Sequence, residues 1–281
     1  MFQKTRILCT LCVAVLSVAL GTPAAAQAQG RPSGPPQGQP DSFTYGLGVG
    51  VAPRFPGADS YAPLPFPLIN WVKNGRTLRN NGFGVEYDVT KGTKLDFGPI
   101  LRINGGRDDL NNANDAVIEA LGQVSLTAEV GAFIATTRPI STSRQGPPLL
   151  FTARASFVQA ISGHDGFLIE GAVGLVRPSR KWTTSVSATA TVASGNYQDA
   201  FFSVNSAQSL ASGLAEFDAD AGLRDVGVTS FIRYAINPKW SVNTIASYSR
   251  LVSDAADSPI VTERGSANQA FFGLNVAYTW R

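Results

Sequence analysis

The stretch NQAFFGLNVAYTWR, residues 268–281, decides the predicted fold of this chain. From residue 270 onward one parity of its side chains is apolar or amphipathic, and the other is mostly small or polar. Because successive side chains of a β-strand point to opposite faces, this period of two predicts a strand with one apolar face. Tyr278 and Trp280 lie two positions apart near its end, and amphipathic rings of this kind prefer a membrane–water boundary. Alone, the segment fits either a membrane strand or the last strand of a soluble core.

The same alternation recurs in most segments from Ser42 onward. The runs are about 9–14 residues long, which exceeds a usual globular strand and matches the length that crosses a bilayer at a tilt of roughly 45°. The polar parity carries charged residues in mid-strand, namely Glu86, Asp96, Arg102, Glu129, Arg154 and Arg233. In a membrane barrel these residues line a wet lumen while the apolar parity contacts outer-membrane lipid. In a soluble sandwich they face water instead, but strand length and the terminal aromatic residues favour the barrel.

The connecting segments test an antiparallel up-and-down barrel, because outer-membrane barrels have short periplasmic turns, long outer loops and termini that are usually periplasmic. Counting back from the last strand gives a mostly regular alternation, which includes the long outer loop 194–221 and the tight inner turn 237–239. The number of strands is even only if residues 73–89 hold two strands, and turn signals within that segment permit this. We therefore predict an all-β transmembrane barrel of twelve strands, with ten as the alternative. Residues 205–216 break the pattern and could form a short helix in a loop.

The N-terminal segment has the features of a secretory signal peptide. Lys4 and Arg6 precede an apolar run over residues 7–20, which small residues follow. This pattern predicts a signal peptide over residues 1–26, with cleavage after Ala28 fitting nearly as well. A signal of this type before membrane strands implies export to the outer membrane of a Gram-negative cell.

The remaining composition excludes several kinds of site. Both cysteines, Cys9 and Cys12, lie in the predicted signal, so we expect no disulfide, thiolate metal site or cysteine nucleophile in the mature chain. Removal of the two basic signal residues lowers the formal charge from +3 to +1, so no nucleic-acid partner is expected. Residues 29–41 are rich in Pro, Gly and Gln, which predicts a disordered linker before a barrel over residues 42–281.

The chain offers few residues for catalysis or metal binding. Its one histidine, His164, is flanked by glycine and aspartate, which predicts a solvated turn rather than a catalytic residue or ligand. One histidine without cysteine makes a zinc site unexpected. A barrel hydrolase needs a histidine beside a serine or an acid, and His164 with Asp165 is the only pairing available in the sequence. Adjacent residues on a turn seldom face each other productively, so we expect no enzyme and no cofactor. The loop acids Asp108, Asp109 and Asp115 match no calcium-binding loop, which favours a hydrated outer loop.

Glycines alternate in the first strand, at Gly46, Gly48 and Gly50. This spacing superficially resembles a nucleotide-binding motif, but no helix follows the strand, so the motif lacks its structural context. We interpret these residues as small side chains on the inner face of a barrel strand.

The loop 253–268 holds the strongest candidates for contact with a ligand or partner, namely Asp254, Asp257, Ser258 and Pro259. The competing interpretation is structural. Asp and Ser side chains would satisfy the backbone of the loop, and Pro259 would end it before the last hairpin. We favour the structural interpretation. The predicted topology also places this loop outside the cell, where it could not contact a periplasmic partner.

Three stretches are distinctive: YGLGVGVAPRFPGADSYAPLPFPLINW (45–71), FGPILRINGGRDD (97–109) and YSRLVSDAADSPIVTERG (248–265). They resemble the MipA/OmpV family of outer-membrane proteins, and FFSVNSAQSLASGL (201–214) also looks like a segment of that family. The resemblance extends over residues 42–281 and implies an outer-membrane β-barrel. The family's namesake is a scaffold that bridges a lytic transglycosylase and a bifunctional penicillin-binding protein in a murein-synthesising complex. Other members look like small porins or adhesins. One departure is that Arg281 follows Trp280, whereas barrels of this kind commonly end on an aromatic residue.

Two functions follow as hypotheses. The resemblance implies a scaffold for murein-synthesising and murein-cleaving enzymes, which would contact the inner turns or the linker. The mixed charges of the polar parity would instead suit a narrow porin that passes small solutes with weak charge selectivity.

Overall fold

The computed structural model describes residues 40–91, 94–107, 115–141 and 147–281. The predicted signal peptide and all of the predicted linker except its last two residues lie outside these ranges. The described chain forms one antiparallel sheet. Its strands are β1 (Ser42–Pro53), β2 (Tyr61–Pro65), β3 (Leu68–Lys73), β4 (Arg76–Asn81), β5 (Gly84–Asp88), β6 (Leu95–Asn104), β7 (Thr127–Ser141), β8 (Leu149–Ala160), β9 (Phe167–Pro178), β10 (Trp182–Ala193), β11 (Gly222–Ala235), β12 (Trp240–Leu251) and β13 (Asn268–Trp280).

The sheet closes on itself because β1 pairs with β13, in a register that runs from Phe43↔Trp280 to Val51↔Phe272. Both β2 and β3 pair with β1, β2 along its outer half and β3 along its inner half. They are therefore two parts of one wall strand, interrupted at Phe66. The wall consequently has twelve strands, which confirms the predicted barrel and strand count. The two strands expected within residues 73–89 are β4 and β5.

The apolar parity faces outward. Large side chains such as Leu47, Val173, Val228 and Phe272 are each about half exposed or more, and a closed barrel has no second sheet to cover them. This arrangement excludes the soluble sandwich and fits a wall that contacts lipid. The described part of the chain contains no helix long and apolar enough to cross a membrane.

Aromatic side chains form a girdle at one end of the barrel. This end carries the start of β1, the end of β13 and the tight turns. Trp182 packs on Tyr234 at 4.5 Å between ring centroids, and Trp240 packs edge-on against Tyr278 at 5.0 Å. Trp280 is 67% exposed beside them. We call this end the inner end, because the sequence predicts that the tight turns lie in the periplasm.

The hydrogen-bonded wall is incomplete beside β2, which has β1 as its one partner strand in the described sheet. The N–H of Phe66 donates to Gly48 O at 2.9 Å, so residues of the opposite parity, Pro63 and Pro65, direct their backbone nitrogens to the unpaired edge. Proline has no N–H to leave unsatisfied there, which is why it suits an edge strand. Below this break, the Asn80 side chain replaces backbone pairing by accepting from Ile69 N at 3.1 Å.

The outer loops fold into a helical cap. Its helices are α1 (Ala116–Ala120), α2 (Gly195–Phe202), α3 (Ser206–Ser212), α4 (Asp254–Asp257) and α5 (Pro259–Thr262). The predicted short helix within residues 205–216 is α3, and a capping box between Asn205 and Gln208 begins it. Isolated β-bridges brace the cap: Val204↔Phe217 lies within the β10–β11 loop, and Ala58↔Gly265 joins the β1–β2 loop to the β12–β13 loop. The cap shares an apolar core with the upper lumen, in which Phe201 and Phe202 are fully buried.

Candidate functional site

The lumen beneath the cap is the candidate functional site, because five of its six predicted lining residues are drawn into buried or half-buried polar networks. Arg102 lies between two carboxylates on neighbouring parts of the wall. Its Nε donates to Glu129, and its Nη1 donates to Glu170 Oε1 at 2.8 Å. Ser156 Oγ also donates to Glu170, at 2.9 Å, and Asn104 Nδ2 donates to Glu129 at 3.2 Å. Both side chains of the Arg102–Glu129 pair are 1% exposed, so the network is cut off from water.

A second network joins Glu86 to two arginines across the lumen. Arg79 Nε donates to Glu86 Oε1 at 2.5 Å, and Arg154 Nη2 donates to Glu86 Oε2 at 2.7 Å. Asn81 Nδ2 adds a third donor at 2.8 Å. The Arg154 guanidinium lies 4.5 Å above the Phe133 ring, a cation–π contact that holds it across the interior. A carboxylate with three donors and two cations can be buried with its charge compensated.

The remaining two predicted lumen residues lie nearer the inner end. Asp96 is buried, and Thr90 Oγ1 approaches its Oδ1 at 3.4 Å. Arg233 is exposed at the inner mouth, and no ion pair joins it to a carboxylate of the described wall. The inner mouth is therefore open to solvent at Arg233, whereas the middle and outer lumen are filled by paired side chains.

A third polar network, around Arg224, connects the lumen to the cap. Arg224 Nε donates to Asp225 Oδ2 at 2.6 Å, and Arg224 Nη1 donates to the hydroxyl oxygen of Tyr197 in α2 at 2.8 Å. Burial raises the pKa of Tyr197, so its phenol stays protonated at neutral pH. Adjacent residues of a regular strand cannot both point inward. Here the pairing of β10 with β11 shifts register beside Arg224, and this irregularity turns both side chains into the lumen.

His164 corrects a sequence-based expectation. It lies in the turn after β8, but its side chain is 1% exposed, so the predicted solvated turn is wrong for the imidazole. The ring packs edge-on against Tyr197 and Phe201 at 5.0 and 5.6 Å, and its Nε2 lies 3.6 Å from Glu129 Oε1. Its Nδ1 accepts from Gly166 N at 3.0 Å. His164 therefore helps to pack the cap against the barrel.

Sequence reasoning missed Arg79, Glu170 and Arg224. Glu170 lies on the inward parity of β9 and could have been found by applying the alternation there. Arg79 lies in β4, which is only 6 residues long and too short to show a clear period. Arg224 carried no such signal, because its inward direction depends on the register shift.

The candidate contact loop is mostly structural. Ser258 and Pro259 are buried, Asp254 is half-buried and Asp257 is exposed. Ser258 Oγ donates to Phe202 O at 2.6 Å and accepts from Ile260 N at 3.3 Å, so it links α5 to α2. Asp254 Oδ2 accepts from Asp220 N at 2.8 Å. Pro259 occupies the first turn of α5 and begins a helix there, whereas we had expected it to end the loop.

Replacing Ser258 by alanine is expected to loosen this part of the cap. The substitution removes a helix cap and leaves the buried Phe202 carbonyl without its donor, which together destabilise the segment by about 1–3 kcal/mol. Amide hydrogen exchange over residues 254–262 should accelerate about fivefold or more. Ser253→Ala is the matched control, since the exposed Ser253 side chain makes no cap hydrogen bond. Equal exchange in both variants would contradict this role.

Two charged residues of the outer loops, Arg107 and Asp115, stabilise the loop structure. Arg107 Nη1 donates to Phe201 O at 3.1 Å, and burial lowers the pKa of Arg107 to about 10, which leaves it protonated at neutral pH. Asp115 accepts from Val117 N at the start of α1 and pairs with Arg264 at 2.5 Å. Burial alone would raise the pKa of Asp115, but these hydrogen bonds lower it overall.

Within the described residues, no group of three or more His, Cys, Asp or Glu side chains could hold a metal ion. Asp115 serves as a helix cap, and Asp108 and Asp109 lie outside the described residues. The arrangement that the structure shows is one of mutual neutralisation. Carboxylates face arginines, and both are packed beneath an apolar cap.

Comparison with known proteins identifies one family. The model of the family described as MltA-interacting protein MipA matches residues 45–280. No curated protein sequence matches the chain. Among solved structures, the NanC porin is similar with a TM-score of 0.43 and 9% identity, over 85% of this chain and 99% of that one. The COG4313 outer membrane channel from Pseudomonas putida F1 is similar with a TM-score of 0.44 and 13% identity, over 89% and 100%.

Proposed function

Because the chain belongs to the MipA family, we propose that it is an outer-membrane scaffold for enzymes that synthesise and cleave murein. Its proposed partners are a lytic transglycosylase and a bifunctional penicillin-binding protein. The predicted signal peptide would deliver the chain to the outer membrane, where the barrel anchors it. The family description names an interaction with MltA, and this description is the starting point of the proposal.

The observation that carries the proposal is the closed lumen. The cap covers the outer opening with fully buried Tyr197, Phe201 and Phe202. Below it, the networks around Arg102 and Glu86 fill the interior with compensated charge. A general porin keeps a water-filled channel. A barrel whose lumen is filled with side chains suits a membrane anchor better than a channel.

The same geometry restricts where partners bind. The loop 253–268 forms part of the outer cap, and its helices pack inward on α2. Periplasmic enzymes cannot reach this face across the membrane. We therefore assign their contacts to the inner turns, including the exposed residues 179–181 and 237–239, and to the predicted linker.

Site-directed crosslinking tests the scaffold. Cys9 and Cys12 lie in the predicted signal, so a single new cysteine would be unique in the mature chain. Lys181→Cys at the inner end should crosslink to a murein enzyme in intact envelopes. Leu210→Cys is the matched control, because Leu210 is 90% exposed on the outer cap. Crosslinks from neither position, or the same enzyme captured from both, would sink the proposal.

Conductance measurement tests the porin alternative. Purified protein in a planar bilayer should give no stepwise openings, because a solute would have to displace the cap and break buried ion pairs. Regular openings of the folded barrel would contradict the closed lumen and favour the porin.

We also propose that the chain has no catalytic activity. His164 supports this, since its ring is packed against aromatic side chains beneath the cap. A hydrolase activity of the purified barrel that His164→Ala abolished would overturn this part of the proposal.

A further inference from the structure

The inner end of the barrel carries a concentration of exposed positive charge. Six exposed cationic residues lie in the connections between strands or at the terminus, and we call them the basic collar: Lys91, Lys94, Arg180, Lys181, Lys239 and Arg281. Five more exposed cations lie at the inner ends of strands: Lys73, Arg76, Arg138, Arg177 and Arg233. Asp41 is the one exposed acidic residue that the described chain places at this end.

The outer end has the opposite balance. Nine exposed Asp and Glu side chains lie on the described outer loops, against the two exposed arginines Arg250 and Arg264. Arg264 is itself paired with Asp115. The mature chain is close to neutral, but its exposed positive and negative charges are concentrated at opposite ends of the barrel. The composition alone does not reveal this separation. A surface with one sign of charge attracts and concentrates partners of the opposite sign.

Within the described residues, the collar charges are not neutralised by acidic side chains. No collar residue takes part in an ion pair with another described residue, whereas the lumen arginines Arg79, Arg102 and Arg154 are all paired. Asp41 accepts a hydrogen bond from Asn74 N at 2.8 Å, which ties it to a neighbouring turn. Free cations on flexible side chains at a solvated rim are available to an external anion.

The placement of these cations indicates the shape of their partner. The collar residues lie in the β5–β6, β9–β10 and β11–β12 connections and at the chain end beyond β13. They therefore surround the inner mouth rather than forming one patch. A compact ligand would need converging groups. A ring of separate charges at one level instead fits an extended polyanion that lies parallel to the membrane.

We propose that the basic collar binds the carboxylate-bearing glycan–peptide mesh of the cell wall directly. Lipid headgroups are the other anionic partner at this depth, and Arg138 and Arg177, on the outward faces of strand ends, suit them. Lys91, Arg180, Lys181 and Lys239 lie in turns beyond the strand ends and face the periplasm. This inference extends the proposed scaffold from the enzymes to their polymeric substrate, and it rests on the inner orientation of these turns.

Cosedimentation with purified murein sacculi tests the proposal in the absence of any enzyme. The folded barrel is placed in nanodiscs of zwitterionic lipid, and the test variant combines Lys91→Gln, Arg180→Gln, Lys181→Gln and Lys239→Gln. At about 50 mM salt the variant should be retained at least about tenfold less than the unchanged protein. At about 0.5 M salt the unchanged protein should lose most of its binding, because screening shortens the range of the attraction.

The matched control changes the net charge by the same amount at the outer end. It combines Gln123→Glu, Leu210→Glu, Ala211→Glu and Ala215→Glu, all at exposed positions, and should bind as the unchanged protein does. The electrophoretic shift on boiling verifies that each variant is folded. Sacculi with amidated carboxylates should bind at least about tenfold less tightly.

Three results would overturn the proposal. They are equal retention of the collar variant and the unchanged protein, undiminished binding to amidated sacculi, and binding that salt does not weaken. If the collar serves lipid headgroups instead, sacculi would not bind, and anionic nanodiscs would raise the melting temperature of the unchanged protein more than that of the variant. Because no enzyme is present, failure here leaves the crosslinking test of the scaffold independent.

Discussion

Replacing Arg102 by methionine is expected to lower the free energy of unfolding of the barrel by about 3–5 kcal/mol. Arg102 contacts both Glu129 and Glu170, and it is buried with them. Its removal leaves two carboxylates beneath the cap without their cation, and desolvated charge without a partner is strongly unfavourable. Urea unfolding of the protein in lipid vesicles, followed by the electrophoretic shift on boiling, measures the loss.

A triple variant separates charge from packing. Arg102→Met together with Glu129→Gln and Glu170→Gln removes all three charges, so most of the lost stability should return. Arg264→Met is the matched control for an exposed ion pair, since Arg264 pairs with Asp115 but its side chain is 41% exposed. That control should change stability by about 1 kcal/mol or less. A triple variant no more stable than Arg102→Met would refute the electrostatic explanation.

The alternation of side chains made the inward direction of this network predictable, but not its pairing. Arg102 and Glu129 were assigned to the lumen because each lies on a polar parity. Their contact depends on the register Arg102↔Glu129 between β6 and β7. A long loop joins these strands, and alternation fixes the face of a strand without fixing its offset from a partner.

Two further residues show where alternation fails. Arg224 points inward because the β10–β11 register shifts beside it, and no local pattern announces such an irregularity. His164 has the turn residues that its neighbours predict, with positive φ at Gly163 and Asp165. Its burial comes from Tyr197, which lies on a different outer loop, so only tertiary packing could reveal it.

The cap was the least predictable part of the fold. Its helices are 4–8 residues long, too short for a clear period of 3.6. Their local start signals are nevertheless present, as in the side chains of Ser194 and Asn205, which accept hydrogen bonds from the first turns of α2 and α3. The closed outer mouth, which weighs against a porin, could not be inferred without these contacts.

The glycines of β1 give the second large effect. Replacing Gly48 by valine is expected to prevent the barrel from closing, because a Cβ at this position would lie 1.9 Å from Leu274 O and 2.5 Å from Asn275 Cα. These are backbone atoms of the partner strand at the seam, so no side-chain movement can relieve the overlap. The sequence-based interpretation of Gly48 as a small inner-face residue gains a specific reason, since at this position β1 lies too close to the β13 backbone for a Cβ.

The expected result is a Gly48→Val protein without the fast-migrating band before boiling, and with free energy of unfolding reduced by at least about 3 kcal/mol if any closed barrel forms. Gly222→Val is the matched control, because nothing lies within 4 Å of a Cβ at Gly222 in β11. That control should retain the shift on boiling, since β-branched residues favour strands. A heat-modifiable Gly48→Val barrel as stable as the Gly222→Val barrel would contradict this prediction. It would show that β1 and β13 can move apart without a loss of stability, so the closed barrel would have to tolerate a wider spacing than this register allows.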